Sequence, residues 1–153
     1  MASKCALPRS TFPVKFKVKS PVHALELARG LVRPFRHWTV GALAVDAEHI
    51  EDDGTLSGRE LKPKSAKAEA FCALGALLRV NTKHAKMAEA FLSHAAWQIN
   101  YDNPPEAEDR PDRQEIFTLN DNARDKETHK RVLKMFTLAI RLAKKASVSG
   151  NKK

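Results

Sequence analysis

Hydrophobic residues recur with the period of an α-helix in several stretches of the chain, and capping or breaking residues bound each stretch. Ser20 followed by Pro21 marks the start of a first helix, because serine caps helices and proline suits the first helical position. We expect this helix to reach Arg33, since Pro34 disfavours a helical conformation in the residue before it. A short second helix is expected over residues 39–46.

Three longer helices are predicted further along the chain from the same periodicity. One begins at Ser65, one follows Thr82, and the last begins at Asp125 or Thr128 and reaches Lys145. The predicted fold class is therefore mainly α, a compact bundle of about five helices.

The N-terminal residues follow a period of two instead. Between Phe12 and Lys19, apolar residues alternate with Pro13 and with lysines, which is typical of an extended segment with one apolar and one basic side. We therefore divide the chain into a basic extended arm or edge strand (1–19), a single helical domain (20–145) and a flexible basic tail (146–153).

Two segments between the predicted helices have the composition of long acidic loops. The first, residues 48–64, contains the dipeptide Asp53-Gly54, which favours a small hairpin. The second, residues 101–115, is rich in proline, aspartate and glutamate. Both loops are expected at the surface.

The charge of the chain is concentrated at its two ends. The 153 residues include 27 Lys and Arg against 18 Asp and Glu, which gives a formal net charge of +9. Residues 1–36 contain eight basic residues and one acidic residue, and residues 126–153 contain nine and one. Such asymmetry attracts nucleic acid, an anionic membrane or an acidic protein surface.

The last predicted helix carries its cations on one side, because spacings of four, seven and three residues keep side chains on a single helix face. A second basic row lies along the N-terminal arm. Rows of this kind neutralise phosphates without reading bases. The predicted binding residues are Lys15, Lys17, Lys19, Lys130, Lys134, Arg141 and Lys144.

Three short motifs stand apart from this charge pattern: Trp38-x-x-Gly41-Ala42-Leu43-Ala44, Cys72-Ala73-Leu74-Gly75-Ala76-Leu77, and Asn120-Asp121 followed by Thr128-x-x-x-Val132-Leu133. Their order over about residues 22–145 resembles a family of small bacterial and phage proteins of unknown function. The resemblance implies a compact, mostly helical domain and a phage or mobile-element origin, and it carries no established activity, substrate or catalytic residue. This chain departs from the family pattern in its lysine-rich start and in Leu119, where an aromatic residue often precedes Asn-Asp.

The polar and aromatic motif residues each have a structural and a functional interpretation. Asn120 and Asp121 would coordinate a cation or orient a substrate, or would satisfy backbone donors before a helix; the second is favoured. Trp38 would stack on a base or fill the core, and the core is favoured. We therefore treat the motif residues as structural: Trp38, Gly41, Cys72, Gly75, Asn120, Asp121 and Thr128.

A catalytic centre has one weak candidate. Cys72 with His129 and Asn120 or Asp121 supplies the residue types of a cysteine hydrolase, but a cysteine inside an apolar helix is typically a buried structural thiol. The six histidines lack metal-ligand spacing, and no glycine-rich phosphate loop is present. We predict no enzymatic activity, no cofactor and no metal.

The function expected from the sequence is that of a non-enzymatic accessory protein whose basic ends engage nucleic acid or, slightly less favoured, an acidic protein surface. The alternative is a protein–protein modulator or inhibitor of a host factor that uses the acidic loops or an apolar patch. The N-terminal residues do not form a secretory signal, and no stretch is long and apolar enough to span a membrane. We expect a cytoplasmic protein, in the host cytoplasm if phage-encoded, with Cys5 and Cys72 as free thiols.

Overall fold

The structure is a computed structural model that describes residues 13, 15–80, 83–101 and 111–150. The described residues form five α-helices: α1 Pro21–Val32, α2 Ala73–Val80, α3 Ala85–Asn100, α4 Arg113–Asn120 and α5 Lys126–Gly150. They also form two small antiparallel sheets, in which β1 (Ala44–Val45) pairs with β4 (Ala70–Phe71) and β2 (His49–Ile50) pairs with β3 (Leu56–Ser57). The predicted mainly α class is confirmed.

The first helix begins where the sequence predicts and ends one residue before the predicted end. The hydroxyl oxygen of Ser20 accepts a hydrogen bond from the backbone N–H of His23 at 3.1 Å, so serine caps a helix that has proline in its first turn. The face of α1 that carries Ala24, Leu25 and Ala28 is completely buried.

The longest helix, α5, closes the hydrophobic core against α1 and α3. Val132, Met135, Phe136 and Ala139 lie at helical spacing and are completely buried. The helix continues to Gly150 rather than stopping at the predicted end, so the described part of the expected flexible tail is helical. Residues 151–153 lie outside the described residues.

The predicted helix over residues 39–46 is wrong. A single 3₁₀ turn, Phe35–His37, is followed by a bridge between Trp38 and Phe71, bends over residues 40–43 and the strand β1. The backbone N–H of Thr39 donates to the Phe71 carbonyl at 3.0 Å, and residue 41 is a glycine with φ of +80°, a conformation incompatible with a right-handed helix. Cross-strand bonding therefore replaces helical bonding in this segment.

The predicted helix start at Ser65 is also wrong. Ala70 and Phe71 pair with β1, and the N–H of Glu69 bonds to the Val45 carbonyl, so α2 begins only at residue 73. As a result Cys72 directly precedes the helix instead of lying inside it.

Helix α4 was not predicted from the sequence. The Asp112 carboxylate caps its first turn, 2.9 Å from the backbone N–H of Gln114.

The loop and arm predictions have mixed outcomes. The hairpin at Asp53-Gly54 is present as β2–β3, with a φ of +85° at the glycine. In the described part of the arm, residues 13 and 15–19, no strand forms, although Phe16 and Val18 pack against the core. Most of the second acidic loop, residues 102–110, lies outside the described residues.

A membrane-crossing helix is not found among the described residues, because none of their helices combines sufficient length with sufficient hydrophobicity.

Candidate functional site

The predicted cations of α5 lie exposed along one side of the helix: Lys130, Lys134, Arg141 and Lys144. Two of them form ion pairs, Lys130 with Glu127 at 3.2 Å and Lys144 with Glu26 at 3.9 Å. Within the described part of the chain, the other two form no ion pair. Exposed ion pairs of this kind contribute little to stability, about 0–1 kcal/mol, so these side chains remain available to an anionic partner.

Helix α1 lies antiparallel beside this row. Three contacts along the two helices establish this direction, because residue numbers rise along α1 as they fall along α5. They are the Glu26–Lys144 ion pair, a 3.5 Å hydrogen bond from Arg29 to the Thr137 hydroxyl, and a 2.7 Å hydrogen bond between His129 Nε2 and the Val32 carbonyl. The pairing adds two cations, Arg29 and Arg33, that are not among the binding residues predicted from the sequence. We call the combined surface the α1–α5 basic face, formed by Arg29, Arg33, Lys130, Lys134, Arg141 and Lys144.

The arm lysines occupy a different position. Lys15, Lys17 and Lys19 are all exposed, but only Lys19 adjoins the start of α1. The arm then leads away to α2, where the Pro13 carbonyl accepts a hydrogen bond from the Arg79 guanidinium at 3.2 Å. The structure therefore does not superpose the two predicted basic rows on one helix face.

The sequence motifs meet at a single buried amide, the side chain of Asn120. Its Oδ1 accepts hydrogen bonds from the indole Nε1 of Trp38 at 2.8 Å and from the backbone N–H of Ala73 at 3.0 Å. Its Nδ2 donates to the Thr39 carbonyl at 3.1 Å. One side chain thus joins the chain before β1, the first turn of α2 and the end of α4, and we call this arrangement the Asn120 junction.

Asp121 extends the Asn120 junction to the surface. Its Oδ1 accepts hydrogen bonds from Asn120 Nδ2 at 2.7 Å and from the backbone N–H of Gly41 at 3.1 Å.

A second aspartate caps the helix that follows. The Asp125 carboxylate accepts a hydrogen bond from the backbone N–H of Thr128 at 2.7 Å at the start of α5. Hydrogen bonds from Thr128 lower the pKa of the Asp125 carboxyl.

Gly75 allows the closest backbone approach in this region. An ideal Cβ on residue 75 would lie 1.7 Å from the carbonyl oxygen of Leu43, well inside van der Waals contact. The first turn of α2 therefore packs directly on the backbone that precedes β1. The N–H of Gly75 donates to Cys72 Sγ at 3.2 Å, which makes the thiol the cap of α2.

Cys72 has the environment of a buried structural thiol. Its side chain is 1% exposed, and burial raises its pKa to about 12 despite the opposing hydrogen bond from Gly75. His129 bonds to the Val32 carbonyl and lies against the Trp38 ring, with 5.4 Å between ring centroids. Among the described residues no hydrogen bond joins Cys72 to His129 or Asn120, so the geometry does not assemble the triad that the residue types allow.

We expect Cys72 to be unreactive in the folded protein. In a Cys5→Ser variant, modification by a disulfide reagent at pH 8 should be at least about 100-fold slower than for a free thiol, because the thiolate fraction is small and the sulfur is covered. Denaturant should restore the normal rate. Modification of the native protein at the rate of a free thiol would contradict the buried position.

The described residues also line a shallow cleft of about 220 Å³ beside Asp121. Glu60 and Arg113 are among the residues that line it, and the Arg113 guanidinium is bonded to the Glu89 carboxylate at 2.8 Å. No group of three His, Cys, Asp or Glu side chains in the described part of the chain is arranged to hold a metal ion.

Comparison with known proteins places the chain in a family but gives it no activity. No curated protein matches, and no solved structure matches. A model of a family of unknown function, DUF6197, matches residues 17–142, a range that includes every motif residue and α1 through most of α5. The chain therefore belongs to the DUF6197 family of unknown function.

Proposed function

We propose that this protein is a non-enzymatic accessory protein that binds the phosphate backbone of nucleic acid through the α1–α5 basic face. The observation that carries the proposal is the exposed cation row of α5, in which Lys134 and Arg141 form no ion pair among the described residues. Helix α1 adds Arg29 and Arg33 alongside it. The face holds six cations against two glutamates, each of which is shared with one cation.

The chemistry of the face favours contact with phosphates over recognition of base edges. Lysine and arginine on a rigid helix neutralise successive phosphates, and binding then releases condensed counterions. Affinity of this kind falls steeply with salt and depends little on nucleic-acid sequence. The row extends about 21 Å along α5 from Lys130 to Lys144, at ~1.5 Å per residue. Over that length an acidic protein surface offers fewer and less regularly spaced negative charges than a nucleic-acid backbone.

The proposal is tested with the double variant Lys134→Gln/Arg141→Gln and a labelled 20-base-pair duplex. The protein is first freed of bound nucleic acid, and the affinity is then measured across a salt series. At about 0.1 M salt we expect binding to weaken about tenfold or more, and the slope of log K against log salt to fall by about two, because two phosphate contacts are lost.

A matched control is available beside the acidic β2–β3 hairpin, outside the set of cations that form the α1–α5 basic face. Arg59 and Arg124 are exposed, with Arg59 paired to Glu48 at 3.6 Å and Arg124 beside the acidic hairpin. The variant Arg59→Gln/Arg124→Gln removes the same charge and should keep the wild-type salt slope. Absence of wild-type binding at low salt, or equal effects of the two double variants, would contradict the proposed site.

A further inference from the structure

A second group of lysines is assembled by the buried cation Arg79 near the end of α2. The Arg79 side chain is 1% exposed, and its guanidinium donates to the carbonyls of Pro13 at 3.2 Å, of Pro63 at 2.9 Å and of Ser65. It also lies 5.6 Å from the centre of the Phe71 ring. One side chain thus fixes the N-terminal arm beside the turn formed by residues 62–67.

Exposed lysines flank each of the carbonyls that Arg79 binds. Lys15 follows Pro13 by two residues, and the turn contributes the others. Because their backbones converge on one guanidinium, these lysines share one region of the surface. We call them the lysine cluster: Lys15, Lys62, Lys64 and Lys67. In the described part of the chain none of the four forms an ion pair.

The arm connects the lysine cluster to the α1–α5 basic face. Lys17 and Lys19 point outward between them, while Phe16 and Val18 hold the arm on the core. The Glu26–Lys144 ion pair sets the C-terminal turns of α5 beside the first turns of α1, where the arm ends. Cations therefore follow one another from α5, across the start of α1, to the turn at Arg79.

We infer that the lysine cluster is a second phosphate-binding site, continuous through the arm with the α1–α5 basic face, so that one nucleic-acid duplex contacts both. This inference rests on the proposed function and extends its footprint. The α5 row spans about 21 Å and the extended arm from Lys15 to Lys19 about 13 Å. Laid end to end, the two lengths reach at most about 34 Å, or about ten base pairs at about 3.4 Å per pair, so a duplex of 20 base pairs is long enough to contact both.

The test is the double variant Lys64→Gln/Lys67→Gln, measured with the same 20-base-pair duplex and salt series. Both lysines are exposed, so the thermal unfolding temperature should stay at the wild-type value. We expect the salt slope to fall by about two and the affinity at about 0.1 M salt to fall about tenfold. Combined with Lys134→Gln/Arg141→Gln, the losses should add, because the two sites share no contacts.

The outcomes separate this inference from the proposed function. Loss of affinity in both double variants, with Arg59→Gln/Arg124→Gln unchanged, supports a continuous track. Wild-type affinity for Lys64→Gln/Lys67→Gln, together with weakened binding for Lys134→Gln/Arg141→Gln, overturns the second site and leaves the α1–α5 basic face intact. A wild-type protein that binds no duplex at low salt overturns both.

Discussion

Replacing Gly75 with alanine is expected to destabilise the protein by about 3 kcal/mol or more, at the upper end of overpacking effects. The new methyl group would fall 1.7 Å from the Leu43 carbonyl oxygen, which is backbone and has no alternative rotamer to adopt. Relief requires α2 to move away from the chain before β1, which also lengthens the bond from Ala73 to Asn120. The free energy of unfolding from urea titration measures the effect.

A second helical glycine provides the control for this substitution. Gly30 lies in α1 with nothing within 4 Å of an added Cβ, and its backbone conformation is ordinary. Gly30→Ala should therefore stabilise the protein by about 0.5–1 kcal/mol through helix propensity. If Gly75→Ala unfolds at the same urea concentration as Gly30→Ala, the close approach of Leu43 is not real.

Replacing Asn120 with alanine is expected to cost about 3–5 kcal/mol, because three buried groups lose their partner at once. The indole N–H of Trp38, the backbone N–H of Ala73 and the carbonyl of Thr39 all bond to this one amide. Asn122→Ala, two residues later at an exposed position, should change stability by no more than about 0.5 kcal/mol. Urea unfolding again provides the measurement.

A double-mutant cycle tests whether the cost of Asn120→Ala comes from these bonds. Trp38→Phe removes the indole donor while keeping an aromatic ring in the core. Since the two variants delete opposite ends of one hydrogen bond, their effects should be less than additive by about 1 kcal/mol or more. Strict additivity would mean that the 2.8 Å contact contributes nothing to stability.

Local signals explain which elements were predictable from the sequence. The dipeptide Ser20-Pro21 predicts the start of α1, and the regular spacing of apolar residues predicts the buried face of α5. Residues 39–46 carry a similar apolar spacing, but their backbone bonds to two later segments, residues 59–61 and 69–72. No local pattern predicts these partners. The same distant pairing delays the start of α2 from Ser65 to Ala73.

The candidate site divides in the same way. The α5 row could be predicted because it lies on one helix, where spacing alone determines the face. Arg29 in the last turn of α1 and the C-cap residue Arg33 are four residues apart, a spacing visible in the sequence, but only the antiparallel packing of α1 on α5 places them beside the α5 row. The lysine cluster could not be predicted, because it depends on the binding of three backbone carbonyls by Arg79. The apolar residues around Arg79 in the sequence do not indicate these bonds.

The Asn120 junction joins segments that a ribosome makes at different times. Trp38 and Ala73 are made long before residue 120, and until α4 leaves the ribosome their buried donors have only water as a partner. The donors of Trp38 and Ala73 therefore lack their protein partner until residue 120 has been added. A ribosome-bound chain truncated before Asn120 should expose the β1–α2 region to proteases and chaperones, whereas a chain whose α5 is held outside the ribosome by a C-terminal linker should not.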